Sequence, residues 1–418
     1  MNPADRQAAR DELIKTVVLS HHRLAGNASM PDGAEAVMIE NAALDHYRGR
    51  HLMQMLDSFH ARGLLVTNPN ADLTISDGAT FWNSPDLWIR NSDDGGTTHQ
   101  EPEFGQDNWF YARVRNQGTT TARAFVVTFN VKPWAGTQFV YPNDFIPCIS
   151  AAVGFELAPG ATTVVKAKWP QALVPAVGTH ACWLASVYTP TDLTPTGAHV
   201  WEHNNLAQKN LTVVDLSPND SLVVPVQLGN LEQAGGLYRL EVSRPKRWTR
   251  LPVSLVHKDP EVVRSLFHSA QKSLLPEPPE PKVGPEPIVR FLESTSVQIA
   301  HRGLAVEPVQ LTLGRDSTIG IGAKAGEPAA RGAKGGFWEV QAVLGTDPEG
   351  LNAITFEPGT LVGFPVRLAP RSPVSVGLKV SVPPKAEPGE VIEVDLLQRN
   401  VEEQVVGAIT IQINVVDK

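Results

Sequence analysis

Between residues 103 and 131 the chain reads EFGQDNWFYARVRNQGTTTARAFVVTFNV, and its polarity alternates with a period of two. Phe110, Ala112, Val114 and Asn116 point one way while Tyr111, Arg113 and Arg115 point the other, which predicts a strand with one buried and one wet face. Asn116 to Gly118 supplies turn chemistry, because Asn and Gly tolerate positive φ. The run AFVVTFNV that follows is rich in Val and Phe, as suits a central strand. Comparable segments recur through residues 84–215, namely DLWIR, CISAAVGFEL, TTVVKAKW, THACWLASVY and NLTVVDL. Short strands separated by Gly, Pro and Asn predict an antiparallel sandwich rather than a parallel sheet with crossover helices.

A second β region is expected over 216–418. SLVVPVQLGN, GLYRLEVSRP, LPVSLVH, VRFLESTSVQI, FWEVQAVL and LVGFPVRLAP supply strands, and GEVIEVDLLQRN returns through VVGAITIQINVV as a closing hairpin. DPEVVRSLFHSAQKSL has the pattern of a short helix. Residues 274–287 form a Pro-rich excursion, whose missing donors favour extended, solvated backbone over sheet interior.

The first 83 residues follow a different period. Asn2-Pro3 opens a helix with Pro at the first helical position, where its absent N–H costs nothing. Ile14, Val17, His21 and Leu24 recur at helical spacing. A second helix is expected from Asp32 as N-cap, with Glu35 three residues on and Gly63 as C-cap. Val37, Leu44, Met55 and Phe59 form its packing side. Such a helical hairpin is too small to hold a core alone and must pack on another surface. A short β segment within 64–75 connects it to the body. The expected architecture is therefore mostly β: tandem β-sandwich modules, whose immunoglobulin-like character is what the resemblance given below implies, with an N-terminal helical hairpin, divided as 1–83, 84–215 and 216–418.

Bulk properties narrow the function classes. The chain has 418 residues, 42% hydrophobic and 19% charged, with Gly 33 and Pro 34, which suits many strands joined by turns. A formal charge of −8 gives no reason to expect nucleic acid as a partner. The basic stretch RPKRWTR, with Arg244, Lys246, Arg247 and Arg250, reads as a solvated strand end. No apolar run approaches the roughly 20 residues that span a bilayer. The N-terminus lacks the apolar core of a signal peptide, so a cytoplasmic location is expected. Cys148 and Cys182 are the only cysteines, and they are read as buried thiols rather than a disulfide framework.

ELAPGATTVVKAKWP in the first β region and RLAPRSPVSVGLKVSVP in the second share one grammar: an apolar residue, Ala-Pro, a turn, then an alternating strand ending at Pro. Together with VRNQG upstream, this resembles bacterial immunoglobulin-like modules of the CARDB-like, cell-adhesion-related type. The resemblance covers roughly 84–215 and, more weakly, 216–418. It implies a sandwich fold used for adhesion, spacing or enzyme attachment, with no shared catalytic site.

Three sets of residues are candidates for chemistry. Asp86, Asp93, Asp94 and Asp107, with Glu101 and Glu103 among them, make an acidic rim of hard oxygen ligands suited to calcium. The spacing is not that of an EF-hand, and such residues also form turns. Among the histidines, His46, His51 and His60 are expected on one helix, where His46 and His60 return to nearly the same face but about 20 Å apart; there is no HExxH, and only His199, Glu202 and His203 could gather in a loop. Cys182 follows His180 by two residues, too far along a strand for direct proton transfer. No GxSxG elbow appears, and the Gly-rich stretch at 318–336 lacks the order of a phosphate loop. The third set is aromatic: Trp134, Phe139, Tyr141 and Phe145 lie in one excursion. They are suited to a protein partner, to sugar stacking, or to covering the end of the sandwich. The favoured expectation is a noncatalytic structural or protein-interaction protein, whose partner is another protein or a second copy of the chain. An enzyme with a site between modules and a glycan-binding module are the alternatives.

Overall fold

Three helices open the chain: α1 (Pro3–Ser20), α2 (Met30–Ala43) and α3 (Leu52–Ala61). The computed structural model describes residues 3–44, 48–132, 139–176, 181–230, 235–270, 296–299, 309–312, 339–370 and 372–417. The Pro-rich 274–287 excursion, the 318–336 stretch and Trp134 lie outside the described residues. Where one long second helix was expected, the chain forms α2 and α3. Ser29 is the N-cap of α2, with Asp32 three residues on closing a capping box. The cap thus sits three residues before the expected Asp32, because the Ser29 hydroxyl and the Asp32 carboxylate satisfy each other's backbone N–H groups. Gly63 follows α3 with φ of 73°, the left-handed conformation that ends a helix.

Eight strands follow: β1 (Leu73–Thr74), β2 (Leu87–Arg90), β3 (Asn108–Asn116), β4 (Ala122–Lys132), β5 (Ser150–Leu157), β6 (Thr162–Trp169), β7 (Cys182–Tyr188) and β8 (Leu206–Lys209). In one sheet β3 pairs with β6 on one side and with β1 and β2 on the other; the second sheet runs β5-β4-β7-β8. Between them lies a core that includes Leu73, Ile89, Phe110, Val114, Phe125, Phe129, Trp169 and Trp183. Phe110 stacks on both Phe129 and Trp169, at 5.2 and 4.8 Å between ring centres. The second sheet is covered on its other face as well: α2 and α3 pack there through Ala34, Met38, Leu52 and Leu56, with Leu65 just beyond α3, against Ala124, Val126 and Ala151. A face covered on both sides reads as a continuous apolar run, which is why AFVVTFNV does not alternate.

The edges of this second sheet are closed. The Ala151 N–H on β5 donates to the Arg48 carbonyl at 2.8 Å. Gly49 beside it has φ of 73°, and a Cβ there would lie 2.5 Å from the Ala151 oxygen. At the opposite edge Asn83 bridges Lys209 on β8, and the Ser84 N–H donates to the Gln208 carbonyl. Covered edges remove the unpaired ladders that invite aggregation.

Strand β3 follows its predicted alternation on the inner face only. Phe110, Ala112 and Val114 are core, but Tyr111 on the expected wet face is buried. It stacks on Trp88 at 5.4 Å and donates to Asp93, while the Trp88 indole donates to the Gly96 carbonyl, so the 91–98 loop folds over this face. Asn116 ends the strand fully buried. Its amide donates to the carbonyls of Thr120 and Leu157 at 2.8 Å each, and its side-chain oxygen accepts from Gly118 and Asp72. Asn116 thereby ties the NQG turn to the Leu-Ala-Pro-Gly turn, the two pieces of the shared grammar. Gly118 is required there, because a Cβ would meet the Asn70 carbonyl at 2.1 Å.

A second compact unit begins at Leu211. Its elements are β9 (Leu211–Leu216), β10 (Ser221–Leu228), β11 (Gly236–Ser243), β12 (Val253–His257), α4 (Pro260–His268), β13 (Ser296–Ile299), β14 (Val309–Thr312), β15 (Ala342–Thr346), β16 (Asn352–Phe356), β17 (Leu361–Leu368), β18 (Val374–Ser381), β19 (Val391–Arg399) and β20 (Val405–Val415). Two five-stranded sheets result, β17-β11-β19-β20-β9 and β10-β18-β12-β16-β15. NLTVVDL, expected to complete the first module, instead pairs in parallel with β20. The closing hairpin β19–β20 forms as expected. Phe267 of α4, Phe356 of β16 and Phe364 of β17 meet with ring centres 5.5 and 5.7 Å apart, so both sheets and the helix share this core. Leu-Ala-Pro again carries the chain from one sheet to the other, from β17 to β18, and buried Asn230 donates to the Leu368 carbonyl at 3.5 Å. The molecule is mostly β, with tandem β-sandwich modules following an N-terminal helical segment in the chain.

Candidate functional site

Each of the four aspartates of the acidic rim has a basic partner. Asp86 accepts from Arg113 at 2.7 Å and from the Ser76 N–H at 3.2 Å. Asp93 accepts from Lys166 at 2.5 Å and from the Tyr111 hydroxyl at 3.1 Å. Arg90 grips Asp94 through two bonds of 3.0 and 2.6 Å, which hold its carboxyl well below the usual range. Asp107 accepts from Lys168 at 2.8 Å and from the Gln171 N–H at 2.8 Å, and its carboxyl is held down by Lys168 first. The four carboxylates pair separately along the outer face of the first sheet. Among the described residues no three His, Cys, Asp or Glu side chains lie together as metal ligands.

The other chemical candidates are spent on structure. His199 stacks on Trp201 at 4.5 Å and its Nδ1 meets the Phe139 carbonyl at 3.1 Å, while Glu202 caps the His199 N–H. His46 and His180 lie outside the described residues. Both cysteines are free and buried. Burial pushes the Cys148 thiol up to about 11 and Cys182 well above the normal range, the reverse of an activated nucleophile. Arg244, expected at a solvated strand end, is buried and donates to the carbonyls of Leu251, Phe356, Glu357 and Gly359. Its planar fork collects acceptors that strand ends leave open.

The aromatic excursion requires a correction. Phe139, Tyr141 and Phe145 are buried with Cys182, Leu184, Val200 and Leu206, covering the outer face of β7 and β8 beside the helices. They are core and not an exposed surface, because that face would otherwise be bare sheet. Of the helical packing set, Met55 and Phe59 are partly buried against the sandwich. Val37 and Leu44 instead line grooves, of about 390 and 610 Å³ respectively. Met38 and Leu65, which the hairpin pattern did not single out, occupy the centre.

One polar cluster lies inside the first sandwich. Along β8, Leu206 faces the aromatic cover and Ala207 the inter-sheet core, so strand alternation turns Lys209 inward. Trp183 is its cross-strand partner on β7 and Asn83 its partner on the other side. Lys209 is 6% exposed, and its Nζ lies 2.9 Å from both the Asn83 Oδ1 and the Ser84 carbonyl. Burial pulls its ammonium down to about 8, against a smaller upward pull from Glu101. The His99 ring packs 4.7 Å from Trp183, and its Nδ1 accepts from the Ile89 N–H, leaving the proton on Nε2. That Nε2 is buried without a hydrogen bond and stands 4.0 Å from a Glu101 oxygen. Burial, with the charge of Lys209, pushes the imidazole down to about 3. Strand alternation alone flags Lys209 as a lysine at a core position; nothing in sequence links it to Asn83.

No family model and no curated protein matches the chain. Among solved structures, a dockerin–cohesin complex aligns over 49% of this chain and 94% of its own, at 11% identity and a TM-score of 0.18. A putative membrane-anchored protein from Corynebacterium diphtheriae aligns over 80% and 59%, at 10% identity and 0.19. The collagen adhesin from S. aureus aligns over 79% and 92%, at 7% identity and 0.17. Scores this low carry no argument about activity or partner. What the fold itself defines is a class, tandem β-sandwich modules with a helical cover. No described helix is long and apolar enough to cross a membrane.

Proposed function

We propose that the chain is a noncatalytic scaffold that works through protein contact, built from modules of the CARDB-like type. One observation carries this reading. Helix α1 leaves Leu13, Ile14, Val17 and Val18 exposed at 57, 49, 38 and 56%. Their spacing places all four on one face. Met30 is exposed beside the apolar groove that Val17, Leu24 and Phe59 line. Clustered exposed aliphatics of this kind belong to contact sites. Phe139, Tyr141 and Phe145 are buried, so these three rings offer no glycan platform. The Asn116 tie between the two grammar motifs supports the module assignment.

A second copy of the chain is the occupant proposed for this face, since one helix face presented twice about a two-fold axis is self-complementary. Light scattering over a concentration series tests it. The full chain should gain mass with concentration, and Leu13→Glu with Val18→Glu should stay monomeric at an unchanged melting temperature. A wild-type chain that stays monomeric throughout would sink the self-association reading.

A further inference from the structure

We propose that Lys209 and Asn83 join through an intramolecular isopeptide bond that staples the two sheets of the first sandwich. The contact has the parts such a bond needs. Lys209 is the last residue of β8, and Asn83 sits four residues before β2 of the facing sheet. Their backbones are bridged, so both side chains leave the ladder on the same side, and the amine lies 2.9 Å from the amide oxygen. Trp183, the cross-strand neighbour of Lys209, is itself buried in the inter-sheet core.

The unlinked state is poorly compensated. An ammonium here would have only neutral acceptors, Asn83 and Ser84, within hydrogen-bond reach among the described residues. Buried charge without close countercharge is costly. Burial accordingly leaves a substantial fraction of the amine neutral near pH 8, which is the nucleophilic form. Linking the two side chains removes the charge altogether.

The reaction balances without an oxidant or cofactor. The Nζ lone pair adds to Asn83 Cγ, and the carbonyl pair moves onto Oδ1. One Nζ proton is transferred to Nδ2 as the carbonyl reforms and the Cγ–Nδ2 bond breaks. Nδ2 leaves as ammonia, carrying its own two protons and the one from Nζ. One amide replaces another, and the chain loses one ammonia.

Intact-mass measurement on the full chain after incubation at mildly alkaline pH tests the bond. The wild-type protein should weigh one ammonia less than its sequence, and digestion should yield a linked pair of peptides holding Asn83 and Lys209. Lys209→Met and Asn83→Ala should each return the full sequence mass. A wild-type chain at full sequence mass, with separate peptides, overturns the bond even if a variant fails to fold.

Discussion

Among the described residues each sandwich buries one lysine to the same 6% exposure, and the two solve the problem of a buried amine in opposite ways. Lys379 on β18 lies 2.7 Å from both Asp347 and Glu349. Burial lowers its pKa, but the hydrogen bonds and charges of the two carboxylates outweigh burial and leave it raised. Lys209 on β8 meets an amide and a peptide carbonyl, and burial wins. The difference lies in the partner chemistry rather than in depth. A lysine among carboxylates is held as a cation and inert, whereas a lysine among neutral acceptors is kept partly neutral and reactive.

Two substitutions break this comparison most severely. Asn83→Ala removes the electrophile, and loss of a closure between positions 126 residues apart should cost about 5 kcal/mol by the chain-entropy rule for cross-links. Asp347→Ala leaves Lys379 with only the half-exposed Glu349, and stripping one partner from a buried pair should cost about 3 kcal/mol. Urea unfolding of the full chain reads both, in separate transitions.

Alkaline titration sharpens the contrast. Lys379 has a folded pKa above the ordinary 10.5, so its stabilisation is complete below 10.5 and lost as pH rises through the folded value. A free Lys209 works in the other direction: between 10.5 and about 8 the unfolded chain binds the proton that the folded chain releases, so stability falls as pH falls across that window. Asn83→Ala, which keeps Lys209 a free amine, should therefore lose stability relative to wild type between pH 10 and 8. A constant difference across that range would contradict the assigned shift.

A smaller effect is expected in acid. His99 is buried and neutral, so below 6.5 the unfolded chain takes up a proton that the folded chain refuses until about 3. Stability should decline through that window, and His99→Gln should flatten the decline. The smallest effect concerns calcium. Since each of the four rim aspartates already has a basic partner, chelation should leave the melting temperature unchanged. A calcium-dependent rise that Asp93→Ala and Asp94→Ala abolish would restore the rim as a cation site.

Sequence alone made much of the sandwich legible. The period-two inner face of β3, the turn at Asn116 and the β19–β20 hairpin rest on local chemistry, and all three form as expected. What failed depends on what covers a face. Tyr111 looked solvent-facing until the 91–98 loop folded over it, and Phe139, Tyr141 and Phe145 looked exposed because the outer face of β7 and β8 had no visible cover. The strand at 211–216 was placed in the wrong module because β8 and β9 are separated only by Asn210, with no composition change to mark the boundary. The pairing of Asn83 with Lys209 was invisible for a related reason: a contact across 126 positions leaves no local pattern.

Single-molecule force extension of the full chain tests the stapled sandwich most directly. A bond between Asn83 and Lys209 withholds the intervening 126 positions from extension. At about 3.5 Å per residue, unfolding of the first unit should fall short by roughly 440 Å. The ion pair of Lys379 withholds nothing, so the described strands of the second unit should extend in full. Full contour length from the first unit in the wild-type protein, matching that of Asn83→Ala, would contradict the staple.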